Sequence, residues 1–81
     1  FYFLVNNARK EIILYSDGGA INFGWKIYKF NNGEYLYDRH IRCDYNTGSS
    51  SYTVTVLSPQ EQPIKSFTVS EDQFNRDRWN Y

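Results

Sequence analysis

Apolar and polar side chains alternate along most of this chain, in short segments separated by glycine, asparagine and proline. Alternation with a period of two is typical of β-strands that bury one face. The expected fold is therefore mainly β, a small antiparallel sheet or barrel of about six strands with a short C-terminal helix. The predicted strands are Phe1–Val5, Glu11–Tyr15, Ile21–Phe30, Glu34–Tyr45, Tyr52–Ser58 and Ile64–Ser70.

The C-terminal segment SEDQFNRDRWNY has the sequence features of a helix. Ser70 followed three residues later by Gln73 matches a capping box, in which the serine side chain accepts a hydrogen bond from the first turn. Two acidic residues follow the serine and two arginines stand near the end, which suits the helix dipole. The segment is predicted to be helical.

The register of the third and fourth strands decides which of their side chains are buried. A two-residue loop would place Trp25 opposite His40 and mix apolar with charged residues on each face. A three-residue loop over residues 31–33 would pair Phe30 with Glu34 and separate the two kinds. Because a slip of one residue turns a whole set of side chains over, the sequence favours the three-residue loop.

This register predicts an apolar core face and a charged outer face. Arg39 is the exception, because it falls on the core face opposite Trp25, where its guanidinium is expected to lie on the indole. The predicted core face consists of Ile21, Phe23, Trp25, Ile27, Tyr37, Ile41 and Cys43. The predicted outer face carries Lys26, Asp38, His40, Arg42 and Asp44.

The 81 residues are expected to form one all-β domain, spanning 1–81. Its many aromatic residues, two Trp, eight Tyr and six Phe, supply apolar area that so short a chain otherwise lacks. The first residue is not methionine, so we expect that residues upstream were removed, as a signal peptide, a tag or part of a larger protein.

Charge and reactive residues exclude several functions. A formal net charge of zero argues against a binder of phosphate backbones. Cys43, the single cysteine, can form neither an intramolecular disulfide nor a cysteine-based zinc site. His40 lacks a second histidine or cysteine at ligand spacing, and no nucleophile is evident beside it. No catalytic residue, metal, cofactor or membrane span is predicted.

The predicted function is a non-catalytic protein-binding module, such as an inhibitor, an immunity-type protein or an assembly component. The register places Tyr28 and Leu36 together on the outer face beside Phe30, and exposed aromatic patches usually mark a partner. The last hairpin or the C-terminal helix could instead cover this patch, and a homo-oligomer is an open alternative. The predicted binding residues are Tyr28, Phe30, Leu36, Asp38, His40 and Arg42.

Two other functions are ranked lower. The first is a small barrel of the OB or SH3-like kind that binds single-stranded nucleic acid through Arg76, Arg78 and Trp79. The same residues also suit a terminal helix that covers the open end of a barrel, and this structural interpretation is favoured. The second is an enzyme or small-ligand site around His40, where Gly24 leaves an open spot on the sheet.

Overall fold

The computed structural model describes residues 2–16, 19 and 21–81, and six strands in this part of the chain form one antiparallel sheet. Each strand pairs with the next along the chain, so β1 and β6 are the two edges and the sheet is open. The predicted mainly β fold is thus confirmed as a sheet. The strands are β1 (Tyr2–Asn6), β2 (Glu11–Ser16), β3 (Asn22–Asn31), β4 (Glu34–Asn46), β5 (Ser51–Leu57) and β6 (Pro63–Ser70).

The predicted C-terminal helix is confirmed. Helix α1 (Glu71–Asp77) begins after Ser70, whose Oγ accepts a hydrogen bond from the main-chain N–H of Gln73 at 3.2 Å. A 3-10 turn over Arg78–Asn80 follows it. The helix, the turn and Tyr81 pack over one face of the sheet, which we call the covered face, and we call the opposite face the open face.

The core lies between the covered face and this C-terminal segment. Neighbouring strands contribute apolar residues at opposed positions, so that Ile41 stands between Trp25 on β3 and Val56 on β5. Burial of such cross-strand rows is what holds a sheet of this size together. The buried cluster consists of Ile13, Trp25, Ile27, Ile41, Cys43, Val54, Val56, Val69 and Phe74.

The predicted three-residue loop between β3 and β4 is wrong. Asn31 pairs with Glu34, which leaves only Asn32 and Gly33 in the turn. Both have positive φ, 50° and 87°, as a type I′ turn requires. Asparagine followed by glycine is the preferred sequence for this turn, because both residues tolerate that backbone conformation.

A β-bulge explains why the faces near the core still match the prediction. Tyr28 pairs with Tyr37 and Ile27 pairs with Arg39, so Asp38 is an extra residue in β4. An extra residue reverses the alternation of side chains beyond it. The bulge thereby returns the apolar residues of β4 to the covered face, which is the effect that a three-residue turn would have had.

Individual partners differ from those predicted because of the bulge. Trp25 is buried as expected, but it lies opposite Ile41 and not opposite Arg39. Tyr37, predicted in the core, pairs with Tyr28 on the open face. Ile21, also predicted in the core, precedes β3 and is 51% exposed.

Arg39 is buried, but in an ion pair and not on an indole. Its two terminal nitrogens lie 3.2 and 3.4 Å from the two carboxylate oxygens of Glu11, which is itself fully buried. Its Nε donates to the main-chain oxygen of Tyr81 at 3.1 Å. Arg9 donates to the main-chain oxygen of Asn80 in the same way. These arginines therefore tie the C-terminal segment to the sheet.

Candidate functional site: the open face of the β3–β4 hairpin

Four aromatic rings form two cross-strand pairs on the open face, near the tip of the β3–β4 hairpin. The ring centres of Tyr28 and Tyr37 are 5.4 Å apart, and those of Phe30 and Tyr35 are 5.2 Å apart. Lys26 joins the row with its ammonium 5.6 Å from the centre of the Tyr37 ring. Phe30 and Tyr35 are each 43% exposed. We call these four aromatic residues the aromatic ladder.

The apolar surface continues from the ladder across the two N-terminal strands. Ile12 on β2 lies opposite Tyr28, and on its other side it lies opposite Val5 on β1. Leu14 on β2 lies opposite Phe3 in the same way. Phe3 and Val5 are 64% and 52% exposed. An apolar surface that extends over four strands is larger than the scattered exposed residues that ordinary surfaces carry.

The prediction that Leu36 lies beside Tyr28 on the outer face is wrong. Leu36 pairs with Lys29, whose other neighbour is the buried Glu11, so Leu36 is on the covered-face side of the hairpin and does not join Tyr28. Asp38, at the bulge, accepts a hydrogen bond from Arg39 at 2.5 Å. Tyr35 and Tyr37, on either side of Leu36, are the β4 residues that face Phe30 and Tyr28.

A carboxylate that sequence reasoning missed organises the polar edge of the ladder. Glu61, in the turn between β5 and β6, accepts a hydrogen bond from the Tyr37 hydroxyl, and its other oxygen is 2.8 Å from Nδ1 of His40. These two hydrogen bonds lower the pKa of Glu61, the one from Tyr37 most strongly. Burial, and then the hydrogen bond to Glu61, raises the pKa of Tyr37. Glu61 therefore fixes both rings against the sheet.

No local signal in the sequence could have revealed this contact. Glu61 stands in the turn segment PQEQP, and His40 is 21 residues away along the chain. The pairing of His40 with Leu57, near the end of β5, brings the turn over the histidine. The carboxylate lies within hydrogen-bonding distance of Nδ1 of His40, so that Nε2 is the ring nitrogen that Glu61 does not engage.

The open spot predicted at Gly24 exists as a shallow depression of about 290 Å³. Gly24 pairs with Arg42, and not with His40 as predicted. A Cβ at Gly24 would approach the main-chain oxygen of Ile41 to 2.4 Å, so a larger residue requires a backbone shift. At its rim Asn22 donates to Asp44 at 2.5 Å. Its lining consists of Asn22, Phe23, Gly24, His40, Arg42, Cys43 and Asp44.

His40 and Cys43, the residues of this region with metal-binding or nucleophilic chemistry, have defined surroundings in the structure. Within residues 2–16, 19 and 21–81, no group of three or more histidine, cysteine, aspartate or glutamate side chains could hold a metal ion. His40 contacts a carboxylate, and no hydroxyl or thiol of the described residues forms a hydrogen bond with it. Cys43 is buried on the covered face, where burial raises the pKa of its thiol to about 12.

The residues of the nucleic-acid alternative lie elsewhere, in the C-terminal segment. Arg76 is exposed. Trp79 packs on Trp25 with ring centres 4.9 Å apart. Arg78 inserts its guanidinium among rings of the core, at 4.5 Å from the centre of Trp79 and 5.1 Å from that of Phe74. Two of the three residues therefore pack against one face of an open sheet, whereas the structural interpretation had placed this segment over the end of a barrel.

No family model, curated protein or solved structure shows significant similarity to this chain. Among the described residues, no helix has the length and apolar character that a bilayer crossing needs. The function is therefore inferred from the geometry of the open face.

Proposed function

We propose that this protein is a non-catalytic binding module that recognises a protein partner through the aromatic ladder on its open face. One observation carries the proposal. The C-terminal segment packs on the covered face, while two cross-strand aromatic pairs remain partly exposed on the other. The classes of protein that fit are an inhibitor, an immunity-type protein or an assembly component.

The ladder has the composition of an interface centre. Tyrosine is enriched at such centres because its ring buries a large apolar area and its hydroxyl makes a polar contact at the edge. Ordering flexible side chains on binding costs about 0.5–1.5 kcal/mol each. Tyr37 is already held by Glu61 and by its ring contact with Tyr28, so part of this ordering precedes binding.

Charged residues supply the rim of the proposed interface. Lys26 and Arg42 are exposed on the open face, and His40 lies between them with its Nδ1 held by Glu61. Rim charges steer a partner and select its orientation more than they add affinity. The partner is therefore expected to bring an apolar centre to the ladder and acidic groups to this rim.

The test begins with capture of a partner on the immobilised chain and continues with a measured affinity. The double variant Phe30→Ala, Tyr35→Ala removes half of the ladder. Truncation at an interface centre costs about 2 kcal/mol or more, so the dissociation constant should rise at least about 30-fold. Ile64→Ala is the matched control, because Ile64 is 63% exposed on the edge strand β6, which β5 separates from the strands of the ladder.

Two results would overturn the proposal. One is a partner whose affinity is the same for the double variant and the unsubstituted chain. The other is binding of single-stranded oligonucleotides that survives the ladder substitutions, disappears with Arg76→Ala and falls steeply with salt.

A further inference from the structure

The two edges of the sheet are protected to different degrees. Edge strands expose unpaired main-chain groups, and proteins usually blunt them with charges, proline or bulges. The edge strand β6 has Pro63 as its first residue and also contains Lys65. The edge strand β1, with the sequence YFLVN, contains no charged residue, proline or glycine. Strand β1 is therefore a ready template for another strand.

Both faces of the sheet are apolar at β1. On the open face Phe3 and Val5 are 64% and 52% exposed. On the other face Leu4 borders a depression of about 340 Å³ that Ile13 and Trp79 also line. An added apolar strand would place its side chains beside those of β1 on both faces while it pairs with the main chain of β1.

We propose that β1 pairs in antiparallel orientation with β1 of a second copy of this chain. Directly opposed residues of an antiparallel pair share a face. A two-fold axis through Leu4 therefore sets Leu4 against Leu4 of the second copy, and Phe3 against Val5 of the second copy. Apolar residues then meet apolar residues on both faces, and two six-stranded sheets become one continuous sheet.

Self-pairing fits better than pairing with an unrelated strand, because the central tripeptide Phe-Leu-Val is apolar at all three positions and satisfies its own antiparallel image. The interface is small, since β1 has only five residues. Interfaces that bury less than about 1,200 Å² are generally weak and transient. The dimer is therefore expected at high protein concentration. This dimer forms through the sheet edge opposite β6, and it does not depend on the proposed function.

Analytical ultracentrifugation of the chain from about 10 μM to about 1 mM tests the proposal, a range that covers weak association. The expected result is a reversible monomer–dimer equilibrium. Phe3→Lys should weaken it at least about tenfold, because it sets a charge against an apolar residue of the second copy. Ile64→Lys is matched to it, with 63% against 64% exposure on the opposite edge, and should leave the equilibrium unchanged.

A covalent readout identifies the register. Opposed Cα atoms in antiparallel strands are about 4.5–5.5 Å apart, within the range that a disulfide spans. Leu4→Cys should therefore form a disulfide-linked dimer on mild oxidation, whereas Thr68→Cys on β6 should stay monomeric. The native Cys43 is buried and does not compete. Val5→Lys replaces Phe3→Lys if circular dichroism shows that the latter is unfolded.

Three outcomes overturn the inference: a chain that is monomeric at every concentration, a dimer that Ile64→Lys dissociates and Phe3→Lys does not, and a dimer that neither substitution affects. Each is independent of whether the ladder binds a protein.

Discussion

The two faces of this sheet use the same kinds of residue for different ends. On the covered face, Phe74 stacks on Tyr52 with ring centres 4.1 Å apart, and Trp79 closes over Trp25. On the open face, the aromatic rings of the ladder contact mainly one another across the strands. Aromatic residues therefore form both the core and an exposed surface. The two faces differ because the C-terminal segment packs on only one of them.

The charged residues also differ between the two faces, in burial and in pairing. On the covered face Arg39 and Glu11 are buried and bonded to each other. On the open face Lys26 and Arg42 are exposed, and the described residues provide neither with a carboxylate within ion-pair distance. The charges of the covered face hold the fold together, while Lys26 and Arg42 on the open face make no ion pair within the described part of the chain.

The largest expected difference is in the stability lost when one aromatic residue is removed from each face. Trp25→Ala should cost about 3–5 kcal/mol, because it leaves a cavity in a small core. Phe30→Ala should cost less than about 1 kcal/mol, because Phe30 is 43% exposed. Urea denaturation measures both, and similar losses would mean that the open face is buried as deeply as the covered face.

The buried ion pair offers the next test. Arg39→Met should cost about 3 kcal/mol, because it leaves the carboxylate of Glu11 buried with only Arg9, at 3.6 Å, as a partner. Adding Glu11→Leu should recover much of this loss, since two apolar residues then replace the pair. A double variant that is less stable than Arg39→Met would contradict this, because it would show that Glu11 stabilises the fold by more than its pairing with Arg39.

A smaller effect is expected at the turn that carries the ladder. Gly33 has a φ of +87° with open space around it, so Gly33→Ala introduces no clash and costs only backbone strain, about 1–2 kcal/mol. Gly48→Ala is the control, because Gly48 also has open space but no positive φ. Equal stability of the two variants would contradict the type I′ turn.

The smallest effect concerns the polar edge of the ladder. Tyr37→Phe removes the strongest of the hydrogen bonds that lower the pKa of Glu61, so that pKa should rise toward its ordinary value of 4.5. A carboxyl group whose pKa is lower in the folded than in the unfolded state stabilises the fold at pH values above its unfolded-state pKa. This stabilisation is lost as the pH falls through the folded-state pKa. The unsubstituted chain should therefore be more stable than this variant at neutral pH. The difference between their free energies of unfolding should shrink below pH 4.5.

Carbon-13 NMR of the Glu61 carboxyl measures the pKa directly. Tyr35→Phe is the control, because Tyr35 contacts Phe30 in the ladder but not Glu61. An unchanged pKa in Tyr37→Phe would mean that Tyr37 does not donate to this carboxylate in solution.

Much of the fold was predictable from local pattern. Period-two alternation identified the strands, and Ser70 with Gln73 identified the start of the helix. The bulge at Asp38 was not predictable by the same means, because two arrangements give the same faces: an extra residue in the turn or an extra residue in the strand. Only the conformational preference of Asn32-Gly33 for a type I′ turn distinguishes them.

The candidate site was less predictable than the fold. The bulge moves Tyr37 into the ladder and separates Leu36 from Tyr28, so an error at one residue changed the membership of the patch. Glu61 joins the site only because the turn between β5 and β6 lies over His40, which depends on tertiary structure. Arg78 replaces Arg39 near Trp25 for the same reason.

The most direct test of the central claim, that the open face is the binding surface, is a map of chemical shift changes. The isotope-labelled chain is titrated with the captured partner, and amide and aromatic signals are followed. The account predicts that the largest changes occur at Tyr28, Phe30, Tyr35 and Tyr37, with smaller changes at Lys26, His40 and Arg42. Changes centred on α1 and the 3-10 turn, with the ladder unaffected, would contradict it.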